Sequence, residues 1–269
     1  MAYFDLNGKR AYYEQHGGTG KQLVILNGIM MSTSSWLPFI PMLTRNARVL
    51  LIDFFDQGKS DHLEEAYDQS VQVELVSSLI DALDLQQVTL LGISYGGEIA
   101  MKVRSQRVDQ LILANTTGKT DFMLKAIGES WINAAETFDG SVFFKATIPP
   151  IYSKDFYNAH IEWLNEREKM FARVFKPEWY RGFVRLVRSA ESHDVMDSLC
   201  EIDTPTLIVS SDEDVITPVQ CQRDLNSLIK ESRLIEIKNC GHASMYEKPT
   251  EFFSAVLGFM ACARDVFKL

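Results

Sequence analysis

Basic residues are scarce in this chain of 269 residues: 27 Lys and Arg stand against 36 Asp and Glu, for a formal net charge of -9. No stretch rich in Lys or Arg is present to offset repulsion by phosphate groups, so we expect no nucleic-acid partner. Long apolar runs are missing too. None approaches the roughly 20 residues that a helix needs to cross a bilayer, and we therefore expect no membrane span.

Cysteine is also sparse, and the four cysteines form no C-x-x-C pair and no metal-binding spacing with histidine. Residues 1–9 lack a basic segment followed by an apolar one, so no secretion signal is predicted. We expect free thiols in a reducing cytoplasm, with no metal and no cofactor. The cysteines are Cys200, Cys221, Cys240 and Cys262.

Apolar residues make up 46% of the chain and charged residues 23%, as in an ordinary globular protein. Short apolar runs typical of buried strands alternate with helical patterns, which favours an α/β fold. We predict a mostly parallel eight-stranded sheet with helices on both faces, preceded at one edge by a hairpin that turns at Asn7-Gly8. The predicted strands are 3–6, 9–16, 23–26, 49–52, 88–91, 108–114, 205–209 and 234–237, and helices are predicted at 36–43 and 70–83.

The alternation stops over residues 118–199, where no buried strand run occurs and aromatic-rich helical stretches follow one another. This pattern indicates a helical insertion. We therefore divide the chain into a core domain, residues 1–117 and 200–269, and a helical cap, residues 118–199.

A Gly-x-Ser-x-Gly motif, Gly92-Ile93-Ser94-Tyr95-Gly96, lies between an apolar strand and a helix. Such a turn exposes the serine hydroxyl at the carboxyl edge of a sheet, beside the free N–H groups of the next helix. A serine hydroxyl is a weak nucleophile and needs a base, usually a histidine that is oriented by a carboxylate. Ser94 is therefore the candidate nucleophile.

Of the five histidines, only His242 directly follows a predicted strand and so lies at the same sheet edge as Ser94. The acid is expected in the loop after the strand that ends at Val209. Charge alone allows Asp212, Glu213 or Asp214. The chain order Ser, acid, His is the one expected for this topology, and within the loop we choose Asp214.

A tetrahedral oxyanion needs hydrogen-bond donors, and two backbone groups are well placed. The N–H of Tyr95 follows the nucleophile, and Gly28-Ile29, after another strand, offers the N–H of Ile29. We expect substrate contacts from Asn27, Gly28, Met30 and the cap residue Trp131. Spacing alone does not separate pocket from core among the other cap aromatics.

The motifs together resemble the α/β-hydrolase superfamily, specifically its serine hydrolases with a helical cap. The residues that carry the resemblance are the elbow around Ser94, Asp214-Val215-Ile216-Thr217-Pro218 as the acid loop, Gly241-His242 as the histidine loop, and 118–199 as the cap. Two positions depart from the usual pattern. Asn27-Gly28 replaces the common His-Gly, as in acyltransferases that join hydroxyacyl chains, and Asp56 replaces the first Gly of the family's D-x-x-G-x-G-x-S loop.

The resemblance and the residues together imply a serine hydrolase that cleaves an ester or thioester of an apolar acyl group through an acyl-enzyme. The substrate is expected to be a small acyl compound. Alternatives are an acyltransferase that passes a hydroxyacyl group to an alcohol, a C–C bond hydrolase with the same triad, and a ligand-binding receptor on the same fold. The sequence leaves the acyl and leaving groups and the oligomeric state open.

Overall fold

The computed structural model describes residues 1–262, and within them eight strands form one sheet of order β1-β2-β4-β3-β5-β6-β7-β8. Strands β1, β2 and β4 pair antiparallel, and all other neighbours pair parallel. The predicted α/β class and the eight-stranded sheet are confirmed. The strands are β1 Ala2–Leu6, β2 Lys9–His16, β3 Lys21–Leu26, β4 Ala47–Ile52, β5 Val88–Ile93, β6 Val108–Ala114, β7 Thr206–Ser211 and β8 Ser232–Ile237.

Helices cover both faces of the sheet because alternate side chains of each strand point to opposite sides. On β3, Leu23 and Ile25 pack into one apolar layer, whereas Val24 and Leu26 pack into the other. The core helices are α1 Ile40–Leu43, α2 Ser70–Ala82, α3 Tyr95–Ala100, α9 Val219–Leu228, α10 Ser244–Glu247 and α11 Pro249–Cys262.

The segment between β6 and β7 contains only helices and loops, apart from one isolated bridge between Lys119 and Asp194. We refer to residues 118–199 as the cap segment. Its helices are α4 Phe122–Ala135, α5 Gly140–Thr147, α6 Lys154–Ala159, α7 Ile161–Val174 and α8 Pro177–Ser189, with a short 3₁₀ helix at Pro149–Ile151. A second 3₁₀ helix, Met196–Glu201, begins at the end of the segment and continues into the core. A third apolar cluster, rich in aromatic rings, lies within this segment and reaches down to Ile216 of the core.

The two ends of the cap segment meet where it joins the core. Val195 N–H donates to the Gly118 carbonyl at 2.8 Å, and Thr120 N–H donates to the His193 carbonyl at 2.8 Å. The Lys119 ammonium pairs with the Asp194 carboxylate at 2.6 Å. The segment thus leaves and re-enters the core through one short two-stranded neck.

The helix predicted at residues 36–43 is wrong in type and extent. The structure has a 3₁₀ helix, Thr33–Phe39, followed by the single α-helical turn of α1. Pro38 lies inside the 3₁₀ segment and Pro41 lies in the first turn of α1, and neither can supply the backbone N–H of an α-helical hydrogen bond. The two prolines therefore explain why no continuous α-helix forms here.

Candidate active site

Ser94 lies in the sharp turn between β5 and α3, with φ 53° and ψ -120°. This left-handed conformation is unusual for a residue other than glycine, and strain of this kind clusters at functional sites. Gly92 and Gly96 permit the turn, since a Cβ atom at Gly96 would collide with the Leu26 carbonyl and one at Gly92 with the Gly96 carbonyl. The hydroxyl of Ser94 therefore projects beyond the carboxyl edge of the sheet.

The imidazole of His242 reaches this hydroxyl from the loop after β8. Its Nε2 lies 3.0 Å from Ser94 Oγ. The backbone N–H of His242 donates to the Ile151 carbonyl of the cap segment at 2.8 Å, and Gly241 N–H donates to the Glu247 carboxylate at 3.1 Å. These bonds fix the loop, so the ring is held at hydrogen-bond distance from the serine.

Asp214 completes the arrangement from the loop after β7, with Oδ2 lying 2.8 Å from His242 Nδ1. Its carboxylate also accepts hydrogen bonds from Asn115 Nδ2, from the N–H and hydroxyl of Thr217, and from Ile216 N–H. Burial acts to raise the pKa of Asp214, but the charge of His242 and these donors outweigh it and hold the pKa below its usual value. The side chain therefore stays ionised despite being buried.

The sequence reasoning missed Asn115 and Thr217, which both bind Asp214. Asn115 directly follows β6 and has φ 45°, and its side-chain oxygen also accepts a hydrogen bond from Ser244 at 2.7 Å. A polar residue at the end of a buried strand was the available signal for Asn115. Thr217 lies three residues after the acid, a spacing that lets its N–H and hydroxyl fold back onto the carboxylate.

The loop that carries the Ile29 N–H lies against the nucleophile, since a Cβ atom at Gly28 would be 3.6 Å from Ser94 Cβ. The Tyr95 N–H is the first of α3 and so has no acceptor within the helix. Both Ile29 and Tyr95 line the cavity that opens at Ser94. The two residues expected to supply the oxyanion donors thus border the cavity beside the nucleophile.

Asn27 and Gln57 brace this loop from below. Asn27 is 1% exposed, and its amide bonds the Ile52 carbonyl, the Trp36 indole N–H and Gln57. Gln57 Nε2 donates to the carbonyls of Gly28 and Ile29 at 2.8 and 3.1 Å. Asn27 is not among the residues that line either cavity, so the structure gives it a bracing position rather than the expected substrate contact. Gln57 was not singled out from the sequence.

Two cavities meet at Ser94 beneath the cap segment, and both are lined by Ile29, Ser94 and Trp131. The helix-side chamber, of about 600 Å³, lies between α3, α4 and α8. The histidine-side chamber, of about 760 Å³, is lined by Gly28, Met30 and His242. The expected contact residues Gly28, Met30 and Trp131 thus all face a cavity, and Trp131 faces both.

The two chambers differ in charge. The helix-side chamber is lined by Glu98, Lys125 and Glu191. Within residues 1–262, Arg167 is the only lysine, arginine or carboxylate residue that lines the histidine-side chamber. Burial raises the pKa of Glu98 to about 8, so this carboxyl is mostly protonated at neutral pH. Apolar surface dominates both linings.

Histidines other than His242 have partners elsewhere in the molecule. They are His16 with Glu14, His62 with Asp56, His160 stacked on Phe156, and His193 with the Thr117 carbonyl. In residues 1–262 no three His, Cys, Asp or Glu side chains are grouped as metal ligands, and the four cysteines are free thiols. None of the helices in this part of the chain is long and apolar enough to cross a membrane.

The comparison with known families decides the affiliation. A family model described as the alpha/beta hydrolase fold matches residues 21–249. The chain belongs to the α/β-hydrolase family. This confirms the resemblance drawn from the elbow, the acid loop and the histidine loop.

Solved structures agree with this assignment. The α/β-hydrolase enzyme MGS-M2, from a deep-sea metagenome library of the Medee basin, is 40% identical, covers 100% of both chains and superposes with a TM-score of 0.95. An esterase from Exiguobacterium antarcticum, 22% identical over 96% of this chain and 97% of its own, has a TM-score of 0.84 and shows the fold alone.

Among curated relatives, the 2-hydroxy-6-oxo-6-(2'-aminophenyl)hexa-2,4-dienoic acid hydrolase of Metapseudomonas resinovorans is 24% identical. The match covers 93% of this α/β-hydrolase and 87% of that enzyme. A 2-hydroxymuconate semialdehyde hydrolase of Pseudomonas sp. (strain CF600) is 25% identical over 91% of this chain and 88% of its own, so these two relatives are hydrolases named for different compounds.

Proposed function

We propose that this α/β-hydrolase is a serine hydrolase that cleaves a carboxylic ester or thioester of an apolar acyl group. The observation that carries the proposal is the chain of contacts from Ser94 through His242 to Asp214, at 3.0 and 2.8 Å. These residues converge from three separate loops, and both contacts are within the hydrogen-bond range of a nucleophile, its base and the residue that orients the base.

The reaction proceeds in two halves. His242 Nε2 removes the proton of Ser94 as the serine oxygen attacks the carbonyl carbon, and the N–H groups of Ile29 and Tyr95 stabilise the oxyanion. His242 then gives that proton to the leaving oxygen or sulfur, and the C–O or C–S bond breaks to leave the acyl-enzyme. Water attacks the acyl-enzyme, gives its proton to His242 and releases the acid as Ser94 regains a proton.

An apolar acyl group suits the site because apolar side chains dominate the lining of both chambers. Residues 118–199 serve as a lid in this proposal, since Trp131, Ile148 and Phe171 of the cap segment cover the cavities. Exclusion of bulk water strengthens the hydrogen bonds to the oxyanion. The cap segment therefore both selects the substrate and shields the reaction.

Active-site labelling tests the proposal directly. A fluorophosphonate probe should form a covalent bond with Ser94 of the wild type and none with Ser94→Ala, and the variant should lose at least about 10,000-fold in turnover of p-nitrophenyl esters. Ser210→Ala is the control, because Ser210 is a buried serine whose hydroxyl has no hydrogen-bond partner among the described residues. Full activity in Ser94→Ala would overturn the proposal.

Product analysis separates the alternatives. Transfer of the acyl group to an added alcohol would identify an acyltransferase. Hydrolysis of a 1,5-diketone without hydrolysis of esters would identify a C–C bond hydrolase. Of the alternatives, this function agrees best with the name of the Metapseudomonas resinovorans relative. A folded protein that binds a ligand and neither reacts with the probe nor turns over any substrate would be a receptor.

A further inference from the structure

Arg167 of helix α7 places a positive charge in the wall of the histidine-side chamber, and no carboxylate residue among those that the structure describes lines this chamber. The protein as a whole is acidic, with a formal net charge of -9. An arginine that faces an apolar cavity in such a protein loses hydration and needs compensation. The charge of Arg167 therefore requires a compensating group.

No acidic side chain compensates it. Within residues 1–262 Arg167 has neither an ion pair nor a hydrogen bond to a protein acceptor, and its neighbours Glu166 and Glu168 pair with Lys169 and Lys145. The guanidinium carbon instead lies 4.8 Å from the Trp163 ring centre. A ring face holds the cation but leaves the guanidinium N–H donors in its plane unused.

Two tyrosine hydroxyls share the field of this cation in the same chamber. Burial raises the pKa of both Tyr152 and Tyr246, and the charge of Arg167 acts on both in the opposite direction. Tyr246 donates its hydroxyl hydrogen to the Ser35 carbonyl at 3.0 Å. The Tyr152 hydroxyl has no such bond to a described residue, so it is a second free donor beside Arg167.

We propose that Arg167 and Tyr152 bind a carboxylate of the substrate in the histidine-side chamber. This inference rests on the proposed function and narrows its substrate class to esters or thioesters that carry one carboxylate. A single guanidinium matches one negative charge, which a carboxylate carries and a doubly charged phosphate exceeds. The other chamber is lined by one lysine and two acidic residues, Lys125, Glu98 and Glu191, so it offers an anion no unbalanced positive charge, and the apolar end of the substrate lies there.

Three p-nitrophenyl or aryl esters test the inference. p-Nitrophenyl butyrate is neutral, mono-p-nitrophenyl glutarate carries a carboxylate on its acyl half, and p-butyryloxybenzoate carries one on its leaving half. The measured quantity is the ratio of kcat/KM for each anionic ester to that for the neutral ester. In Arg167→Met this ratio should fall about 10-fold to 100-fold for at least one anionic ester, because a charge-assisted hydrogen bond is lost.

Two further variants control the experiment. Arg173→Met removes an exposed arginine from the same helix, outside both chambers, and should leave the ratio and the activity unchanged. Arg167→Lys keeps the charge without the planar donors and should give an intermediate ratio. Equal ratios for both anionic esters in wild type, Arg167→Met and Arg167→Lys would overturn the inference.

Binding without turnover separates this inference from the proposed function. Calorimetry with p-hydroxybenzoate should show binding to Ser94→Ala and at least about 10-fold weaker binding to the folded double variant Ser94→Ala with Arg167→Met. If the wild type hydrolyses no ester but this difference in binding is found, the proposed reaction fails and the carboxylate site stands. If esters are hydrolysed and Arg167→Met changes neither binding nor the ratio, the carboxylate site is refuted.

Discussion

The carboxylate of Asp56, in the core, accepts two hydrogen bonds from the guanidinium of Arg185, on helix α8 of the cap segment. Nε lies 3.0 Å from Oδ2 and Nη2 lies 2.5 Å from Oδ1. The Asp56 side chain is completely buried and also contacts His62 Nδ1 at 3.2 Å. Burial opposes the charge of Asp56, but His62 and Arg185 outweigh it and lower its pKa. This pair therefore ties the cap segment to the core.

Asp56→Asn should reduce the free energy of unfolding by about 3 kcal/mol, because the largely buried guanidinium of Arg185 loses its negatively charged partner. Asparagine tolerates the φ of 70° found at this position, so the backbone is not the cause of the loss. Urea unfolding followed by circular dichroism gives the value.

Arg188→Met provides the control from the same helix. Arg188 pairs with Glu136 at 3.9 Å, and both side chains are more than half exposed, at 56% and 57%. Loss of such a surface pair should cost less than about 1 kcal/mol. Similar losses in the two variants would contradict the view that burial makes the Asp56 pair important.

Asp214→Asn should lower kcat for a p-nitrophenyl ester by about 1,000-fold to 10,000-fold, since the amide no longer holds His242 in the tautomer that accepts the serine proton. Glu213→Gln is the matched control, because Glu213 is the adjacent acid and is exposed to solvent. It should keep wild-type kcat. A large loss in Glu213→Gln with little loss in Asp214→Asn would reassign the acid.

Gln57→Met should lower kcat by about 10-fold to 100-fold and change KM less, because the loop with the Ile29 N–H loses the donor that fixes two of its carbonyls. The steady-state kinetics of a neutral ester give both constants. Gln72→Met is the control: Gln72 is equally buried and bonds the backbone of Phe55, at 3.1 and 3.2 Å. Gln72→Met should reduce the stability of the fold and leave kcat unchanged. Equal kinetic effects in the two variants would argue against a role of Gln57 at the oxyanion loop.

Glu98 should make the wild type less stable as pH rises. Its pKa is about 8 in the folded chain because of burial, whereas an unfolded glutamate titrates near 4.5. The folded state therefore keeps a proton that the unfolded state releases, so the contribution of Glu98 is complete below about pH 4.5 and is lost progressively up to about pH 8.

Glu98→Gln should remove this part of the pH dependence, since an amide does not titrate. The measurement is the difference in free energy of unfolding between wild type and variant, taken by urea unfolding at several pH values across that window. The difference cancels the titration of His193, whose pKa is lowered to about 4 by burial. A difference that stays constant with pH would show that Glu98 is ionised in the folded protein.

The meeting of Ser94, His242 and Asp214 was predictable because each lies shortly after a parallel strand of the sheet. Parallel strands deliver their carboxyl ends to one edge of the sheet, so residues far apart in sequence are brought together by topology alone. The chain order Ser, acid, His placed the acid in the loop after β7 but did not separate Asp214 from Asp212 and Glu213. The short apolar runs likewise predicted the strands of the sheet, and so the fold.

Contacts between separate segments were not predictable in this way. The bond of Asp56 to Arg185 joins residues 129 positions apart, and neither position has a local pattern that names the other. The hydrogen bonds of Gln57 and Asn27 were not predictable either, because the role of a buried side-chain amide is recognisable only once its backbone partners are placed. Helical spacing likewise did not reveal that Trp131 lines both chambers.

The short neck at Lys119 and Asp194 has an evolutionary consequence. Because the inserted helices begin and end at adjacent points, a longer, shorter or unrelated insertion can be grafted there without changing the register of the sheet. Reaction chemistry and molecular selectivity can then diverge independently among descendants of one ancestor.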